Sequence, residues 1–270
     1  MSSSLVRLEI ENNIAVVTLD RPERLNAFNE AMFSDLENVT FELKQKPPRV
    51  AILTGAGDKA FGAGFDVNPD NPLNHLTEAT SDDDETPAAK IVHRVRRAID
   101  GFVSLPVPLI VALNGLAYGG AAETAVRCDL RVMDPRAIIC FSETRLGLMP
   151  DFGGGPSLVR LIGASRAADL ILTTREVGAE EALSIGLINR ISQPGQALDE
   201  AKAMAKKIVQ NGPLATRYAL SVIRHCQDLT LSDALAFEAK KAISLIATGE
   251  SIHGVTAFLE KRKPDFSDID

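Results

Sequence analysis

The sequence predicts an α/β fold, on three observations: a hairpin pattern at the start, two apolar runs typical of buried strands, and a last third dominated by helical spacing. Residues 5–10 and 14–19 alternate apolar and polar side chains on either side of two asparagines, which is typical of a β-hairpin. The buried-strand runs lie at 49–54 and 107–113, and each ends at a glycine-containing turn. Strands and helices therefore share one chain.

Helices are predicted where apolar side chains recur at helical spacing. The first covers 29–44, with Met32, Phe33 and Leu36 on one face, and another covers 88–102. Two further strands are predicted at 130–133 and 137–141, and a brief one at 187–191. The predicted helices of the C-terminal part cover 196–210, 213–225, 231–248 and 250–262.

The chain is predicted to have two regions. Residues 1–195 would form the core with the active site, and 196–270 a C-terminal helical region that could serve oligomerisation. Residues 68–85 contain Asn, Asp and Pro clusters and an acidic run, so they are predicted to form a surface loop. The alternative is a lid over a site.

Composition excludes several classes of protein. The 29 Lys and Arg against 36 Asp and Glu give a net charge of −7, which argues against non-specific binding of nucleic acid. No apolar run approaches the ~18–20 residues that span a bilayer. The first residues do not form a secretory signal. Three widely spaced cysteines indicate reduced thiols in a cytoplasmic protein, and the four scattered histidines predict no metal site.

Two glutamates stand in similar surroundings. Glu123 ends the run Gly-Gly-Ala-Ala-Glu, and Glu143 ends Cys-Phe-Ser-Glu, each within an apolar stretch. Two carboxyl groups between apolar walls can take a proton from water and give one to carbon. We therefore interpret the pair as an acid/base site.

Two glycine turns follow apolar strands, at 59–66 and at 114–123. Glycine lets a ligand approach the main chain closely, and a helix that begins near Gly119 would present free N–H groups there. Two such donors aimed at one oxygen would form an oxyanion hole, each worth ~3–4 kcal/mol of the barrier.

The chain resembles the crotonase superfamily, also called the enoyl-CoA hydratase/isomerase family. The likeness runs in order from residue 21 to residue 262, and it is carried by the segments 21–27, 60–67, 114–123, 128–129, 146–150, 153–154 and 257–262. It implies a crotonase-like spiral of ββα units with a C-terminal helical trimerisation region. It also implies a homotrimer or a dimer of trimers, and a role in fatty-acid metabolism.

The resemblance implies specific roles for four residues. The backbone N–H groups of Phe65 and Gly120 would be the oxyanion donors. Glu123 and Glu143 would hold a water molecule and act as the acid/base pair, with Glu143 protonating and Glu123 activating the water. Since both glutamates are present, hydration of a 2-enoyl-CoA is favoured over other reactions of the family.

Coenzyme A would enter as part of the substrate thioester, with no separate cofactor. Its phosphates need local cations on this acidic protein, and the cluster Lys261-Arg262-Lys263 could serve a neighbouring subunit. The residues that match the coenzyme-contacting segments of the family are Arg24, Leu25, Ala27, Lys59, Ala63, Val67 and Lys261.

Two positions depart from the usual hydratase pattern. Asp151 stands where glycine is common, so an enoyl-CoA isomerase or a hydrolase using this carboxyl is the alternative function; the structural alternative is an N-cap for the next helix. Phe65 stands where small residues are usual and would reshape the acyl pocket. Asp66 and Asp129 are predicted to be structural. A binding protein without catalysis is a third possibility, disfavoured because two buried carboxyls are costly.

Overall fold

The computed structural model describes residues 4–74 and 85–266, and it begins with the predicted hairpin. Strand β1 (Val6–Glu11) pairs antiparallel with β2 (Ile14–Leu19). The two connecting residues, Asn12 and Asn13, have φ values of 51° and 61°. Both are left-handed, as a two-residue turn between twisted strands requires, and asparagine tolerates that conformation.

The hairpin forms the edge of a six-stranded sheet in the order β1-β2-β3-β5-β7-β10. Its other strands are β3 (Val50–Gly55), β5 (Leu109–Leu113), β7 (Leu130–Met133) and β10 (Arg190–Ile191), all parallel to their neighbours from β2 onward. The last is shorter than predicted because the N–H groups of Leu187 and Ile188 bond to the carbonyl of Ala182 instead of a strand.

A second sheet of four short strands has the order β4-β6-β8-β9. These are β4 (Ala60–Gly62), β6 (Leu116–Tyr118), β8 (Ile138–Cys140) and β9 (Val177–Gly178). Of these, only β8 was predicted, because it lies within the longer run 137–141. The other three strands are isolated runs of two or three residues, which are too short to show a period of two.

Strands of the two sheets alternate along the chain in a repeated unit. β3 and β4 precede α2 (Thr86–Val103), β5 and β6 precede α3 (Gly120–Arg127), and β7 and β8 precede α4 (Gly154–Ile162). A 3₁₀ turn, Glu143–Leu146, lies before α4. The expected spiral of ββα units is confirmed.

The remaining helices agree with the predicted ones to within three residues at each end wherever one was predicted. Two short 3₁₀ turns lie at Pro22–Arg24 and Cys226–Asp228. The helices are α1 (Glu30–Gln45), α5 (Ala164–Thr173), α6 (Ala179–Ser184), α7 (Ala197–Val209), α8 (Pro213–His225), α9 (Leu231–Ala247) and α10 (Glu250–Leu259).

Both faces of the large sheet are buried. Val17 and Leu53 point into the main core with α1 and α2, whereas Val16 and Ile52 point to the opposite face, which α7 covers. Strands buried on both sides read as continuous apolar runs, which is why they were recognisable in the sequence. The boundary predicted after residue 195 stays a prediction.

The last two helices carry many exposed apolar side chains. They are Leu231, Leu235, Ile243, Ile246, Ile252, Val255, Phe258 and Leu259. Among the helices described, none alone is long and apolar enough to cross a membrane; α9 and α10 meet that test only as a pair bent by 74°. Of the predicted loop 68–85, residues 75–84 lie outside the described part of the chain.

Candidate active site

The first glycine turn is pinned to the main chain of Phe28. The Phe28 N–H donates to the Gly64 carbonyl at 2.8 Å, and the Asp66 N–H donates to the Phe28 carbonyl at 2.9 Å. These alternate bonds leave the N–H of Phe65 on the other side. Gly64 has φ +88°, a conformation that side chains rarely adopt.

The second glycine turn touches the first. A Cβ added to Gly64 would lie 2.8 Å from the Tyr118 carbonyl oxygen and 3.1 Å from the Gly120 nitrogen. Gly120 begins α3, so its N–H has no acceptor within the helix. Neither this N–H nor that of Phe65 donates a hydrogen bond within residues 4–74 and 85–266. The two predicted donor groups therefore lie side by side and free.

Glu123 lies one turn of α3 beyond Gly120 and is 0% exposed. Its Oε1 accepts from the N–H of Asp151 at 3.2 Å, and its Oε2 accepts from the N–H of Gly154 at 2.8 Å. Main-chain donors thus fix the orientation of this carboxyl and favour its ionised form.

Glu143 reaches the same place from the other direction. It begins the 3₁₀ turn after β8 and is 8% exposed. A Cβ on Gly119 would lie 3.5 Å from its Oε1, so its carboxyl stands beside the second glycine turn. Both carboxyl oxygens are buried without a hydrogen-bond partner among the residues that the structure describes.

Burial is the largest cause that raises the pKa of both glutamates, and the charge of Glu143 raises the pKa of Glu123 further. Two carboxyls this close do not both ionise readily, so the pair retains one proton well above the usual range of either. Asp151 adds a third carboxyl, and its pKa is raised to about 6, first by burial and then by the charge of Glu123.

The raised pKa of the pair predicts a pH-dependent cost to stability. Protonated in the fold, the pair contributes stability below the ordinary glutamate pKa, and this is lost as pH rises through the raised folded pKa. We therefore expect the melting temperature of the Glu143→Gln variant, relative to that of the parent, to increase as the pH rises from about 5 to about 9. Thermal melts across this range measure the difference, with the exposed Glu42→Gln on α1 as control. A difference that does not change with pH contradicts the assignment.

Sequence reasoning missed two residues of the site. The Arg127 guanidinium donates to the Phe152 carbonyl at 2.7 Å, and the Phe152 ring packs behind Gly120, where an added Cβ would lie 2.5 Å from it. The available signal was the i, i+4 spacing of Glu123 and Arg127, which puts both on one face of α3.

The structure shows what the side chains of Asp66, Asp129 and Asp151 contact. Asp66 is buried and pairs with Arg21 at 2.5 Å, and Asp129 pairs with Arg224 at 2.6 Å, which confirms their structural roles. The N-cap interpretation of Asp151 is wrong, because Gly153 is the N-cap of α4 and no side chain bonds there.

Three of the residues predicted to contact coenzyme A, Leu25, Lys59 and Ala63, lie close together. The Ala63 N–H donates to the Leu25 carbonyl at 2.9 Å, and a pocket of about 160 Å³ is lined by Leu25 and Lys59. The remaining residues are Arg24, which pairs with Asp70, the buried Ala27 and the half-exposed Val67. Lys261 follows α10 and is exposed; no contact within the described residues joins it to the pocket. The described side chains contain no cluster of metal-ligating type.

The model of the enoyl-CoA hydratase/isomerase family matches residues 9–269. The chain belongs to that family. This confirms the resemblance to the crotonase superfamily that the motifs indicated.

Relatives and solved structures agree over nearly the whole chain. A short-chain-enoyl-CoA hydratase of Clostridium acetobutylicum is 36% identical over 97% of each chain. A crotonyl-CoA hydratase of Syntrophomonas wolfei is 33% identical over 98% of this chain and 99% of its own. The crystal structure of an enoyl-CoA hydratase from Bacillus anthracis matches with a TM-score of 0.87 and 32% identity, over 97% of this chain and 98% of that one.

Proposed function

We propose that this family member is an enoyl-CoA hydratase, which adds water to the C2–C3 double bond of a 2-enoyl-CoA thioester. One observation carries the proposal. Two buried carboxyl groups, Glu123 and Glu143, lie beside the adjoining glycine turns, where two main-chain N–H groups have no acceptor among the described residues. A scaffold protein has no need of that arrangement, whose buried acids cost stability.

The thioester carbonyl oxygen would lie between the N–H groups of Phe65 and Gly120. These donors stabilise the negative charge that grows on the oxygen as water adds, and each is worth about 3–4 kcal/mol of the barrier. Withdrawal of electrons toward the oxygen leaves C3 electrophilic. The main chain therefore provides polarisation without a charged side chain.

The two glutamates divide the proton transfers. Glu123, whose carboxylate accepts two N–H bonds, takes a proton from water as the water oxygen bonds to C3. Neither carboxyl oxygen of Glu143 has a hydrogen-bond partner among the described residues, so we assign to Glu143 the proton that the pair retains, which it gives to C2. The two carboxyls are close enough for their charges to interact, so both would face the same side of the double bond. The oxygen and the proton therefore add to the same face. The proton on Glu123 then passes to Glu143, and the pair returns to its starting state.

Crotonyl-CoA tests the proposal directly. Mixing it with the purified protein should abolish the absorbance of the conjugated enoyl thioester and yield 3-hydroxybutyryl-CoA, identified by mass. The substrate is suggested by the relative named a crotonyl-CoA hydratase. A chain that leaves the absorbance unchanged is not a hydratase of this substrate class.

A second candidate, enoyl-CoA isomerisation, is favoured by the position of Asp151. Its carboxyl is close enough to Glu123 for their charges to interact, and its pKa of about 6 lets it exchange protons near neutral pH. An isomerase would move the double bond of a 3-enoyl-CoA without taking up water. If Asp151→Asn abolished this conversion and left hydration intact, isomerisation would be a second activity of the site.

The coenzyme portion of the substrate is proposed to lie along Arg24, Leu25, Ala27, Lys59, Ala63 and Val67. The pocket beside Leu25 and Lys59 supports this, since an apolar wall suits adenine and a cation suits phosphate. Lys261 would act on a neighbouring subunit. An acyl-CoA complex with the nucleotide elsewhere would contradict the assignment.

Assembly into a homotrimer or a dimer of trimers is proposed from the exposed apolar faces of α9 and α10. Exposed apolar side chains in this number on two successive helices are typical of an interface. Light scattering on the purified protein measures the mass in solution, and a monomer at micromolar concentration would contradict the proposal.

A further inference from the structure

Two side chains of opposite charge on one face of α3 bind the segment from Pro150 to Gly154, here called the 150–154 segment. Glu123 accepts hydrogen bonds from its N–H groups, at Asp151 and Gly154. Arg127, one turn later, donates through Nη1 to the carbonyl of Phe152 at 2.7 Å. A carboxylate and a guanidinium at i and i+4 thus match the donors and the acceptor of one short stretch of main chain.

The same segment supports the oxyanion donor. The Phe152 ring is 2% exposed and lies against Gly120, and its centroid is 5.9 Å from the rings of both Phe28 and Phe33. Because the rings are closely packed, a shift of the Phe152 main chain would move the ring against Gly120. The position of the 150–154 segment therefore affects both the base and the oxyanion donor.

Arg127 is itself anchored from α2. Its side chain is 13% exposed, and its Nη2 lies 2.6 Å from Oδ1 of Asp100. Asp100 also accepts from Arg96 at 3.1 Å. Burial raises the pKa of Asp100, but the hydrogen bonds from Arg96 and Arg127 outweigh it and leave the pKa below its usual value. The ion pair thus holds the guanidinium in place at neutral pH.

We propose that Arg127 is a positioning residue that holds the 150–154 segment against Glu123 and Gly120. The effect on rate rests on the proposed hydratase function, whereas the effect on Glu123 does not. No atom of Arg127 needs to touch the substrate.

Loss of Arg127 should act on Glu123 in one direction. Without the hydrogen bond from Arg127 to the Phe152 carbonyl, the 150–154 segment moves away from α3. Glu123 then loses the N–H bonds that favour its charged form. The nearby positive charge disappears as well, while burial and the coupling to Glu143 and Asp151 continue to disfavour the charged form of Glu123. On α2, Arg96 and Asp100 remain as an ion pair. The loss of the N–H bonds and the loss of the positive charge both raise the pKa of Glu123.

The test compares Arg127→Met, Arg127→Lys and the control Arg160→Met. Arg160 is an α4 arginine that pairs with Asp228 at the surface. For Arg127→Met we expect kcat to fall about 10- to 100-fold with crotonyl-CoA and KM to change little, because the geometry of the base is lost. The ionisation of the base in the pH–rate profile should move to higher pH. Lysine, which can donate to the same carbonyl, should restore part of kcat, and the control should behave as the parent.

A second readout does not depend on activity. Carbon-13 spectra of protein labelled at the glutamate carboxyls, assigned with Glu123→Gln, should show Glu123 titrating at higher pH in Arg127→Met than in the parent. If methionine prevents folding, Arg127→Lys and Asp100→Asn are measured in the same way and should show smaller shifts of the same sign. An unchanged titration and pH profile, with or without a loss of rate, overturns the proposal. A parent inactive on crotonyl-CoA but with the shift intact would overturn only the proposed function.

Discussion

Replacing Glu143 with glutamine is expected to lower the rate of crotonyl-CoA hydration by at least about 100-fold. The amide keeps the shape of the side chain but cannot deliver a proton to C2. Glu123→Gln should cause at least as large a loss, because an amide cannot take a proton from water and its NH₂ group would face one of the two N–H donors, that of Asp151 or that of Gly154. The rate of absorbance loss of the enoyl thioester measures both variants.

Glu250→Gln is the matched control for these variants. Glu250 is also a buried glutamate whose carboxylate accepts two main-chain N–H bonds, from Leu214 and Ala215 at 2.8 Å each, but it caps α8 far along the chain from the catalytic turns. We expect it to lose stability and keep its rate per folded molecule. Parental rates in both Glu123→Gln and Glu143→Gln would reject the acid/base assignment.

The second large effect is expected from Gly64→Ala, with a loss of about 100- to 1,000-fold in kcat, as when an oxyanion donor is removed. The added methyl group would lie 2.8 Å from the Tyr118 carbonyl oxygen and 3.1 Å from the Gly120 nitrogen, so it would force the two glycine turns apart. The N–H groups of Phe65 and Gly120 could then no longer reach one oxygen. Steady-state hydration of crotonyl-CoA measures the loss.

Gly163→Ala separates this effect from backbone strain. Gly163 has φ +85°, close to that of Gly64, but a Cβ there has nothing within 4 Å. Backbone strain of about 1–3 kcal/mol should lower its stability, and its rate per folded molecule should stay that of the parent. If the two variants lost activity equally, the contact between the turns would not be what matters.

Much of the fold could be predicted because its strands and helices have strong local patterns. The buried runs that became β3 and β5 and the helical spacing of α1 were recognisable in the sequence. The structure adds the N-cap of α1, where the Asn29 side chain accepts a bond from the Met32 N–H. The strands β4, β6 and β9 were not, because two or three residues carry no periodicity and are held by their neighbours in the small sheet.

For the site, the catalytic groups could be predicted from residue type, whereas the contacts that position them could not. Glu123, Glu143 and the two glycine turns could be proposed from the sequence, since few other roles suit buried carboxyls and glycines after strands. The roles of Arg127, Asp100 and Phe152 depend on contacts between α2, α3 and the 150–154 segment. No local pattern contains those contacts, because each joins residues 25 or more positions apart.

By itself, the sequence determined the order of the main strands and helices and the presence of two acids and two donor turns, because these follow from local side-chain patterns and family motifs. Only the tertiary structure decided that the Phe65 and Gly120 N–H groups lie side by side, that Glu123 has main-chain donors and that the carboxyl of Glu143 has no hydrogen-bond partner among the described residues. The physical reason is that proton affinity is set by burial and by neighbours in space, and the chain acquires both only when its two sheets close around the site.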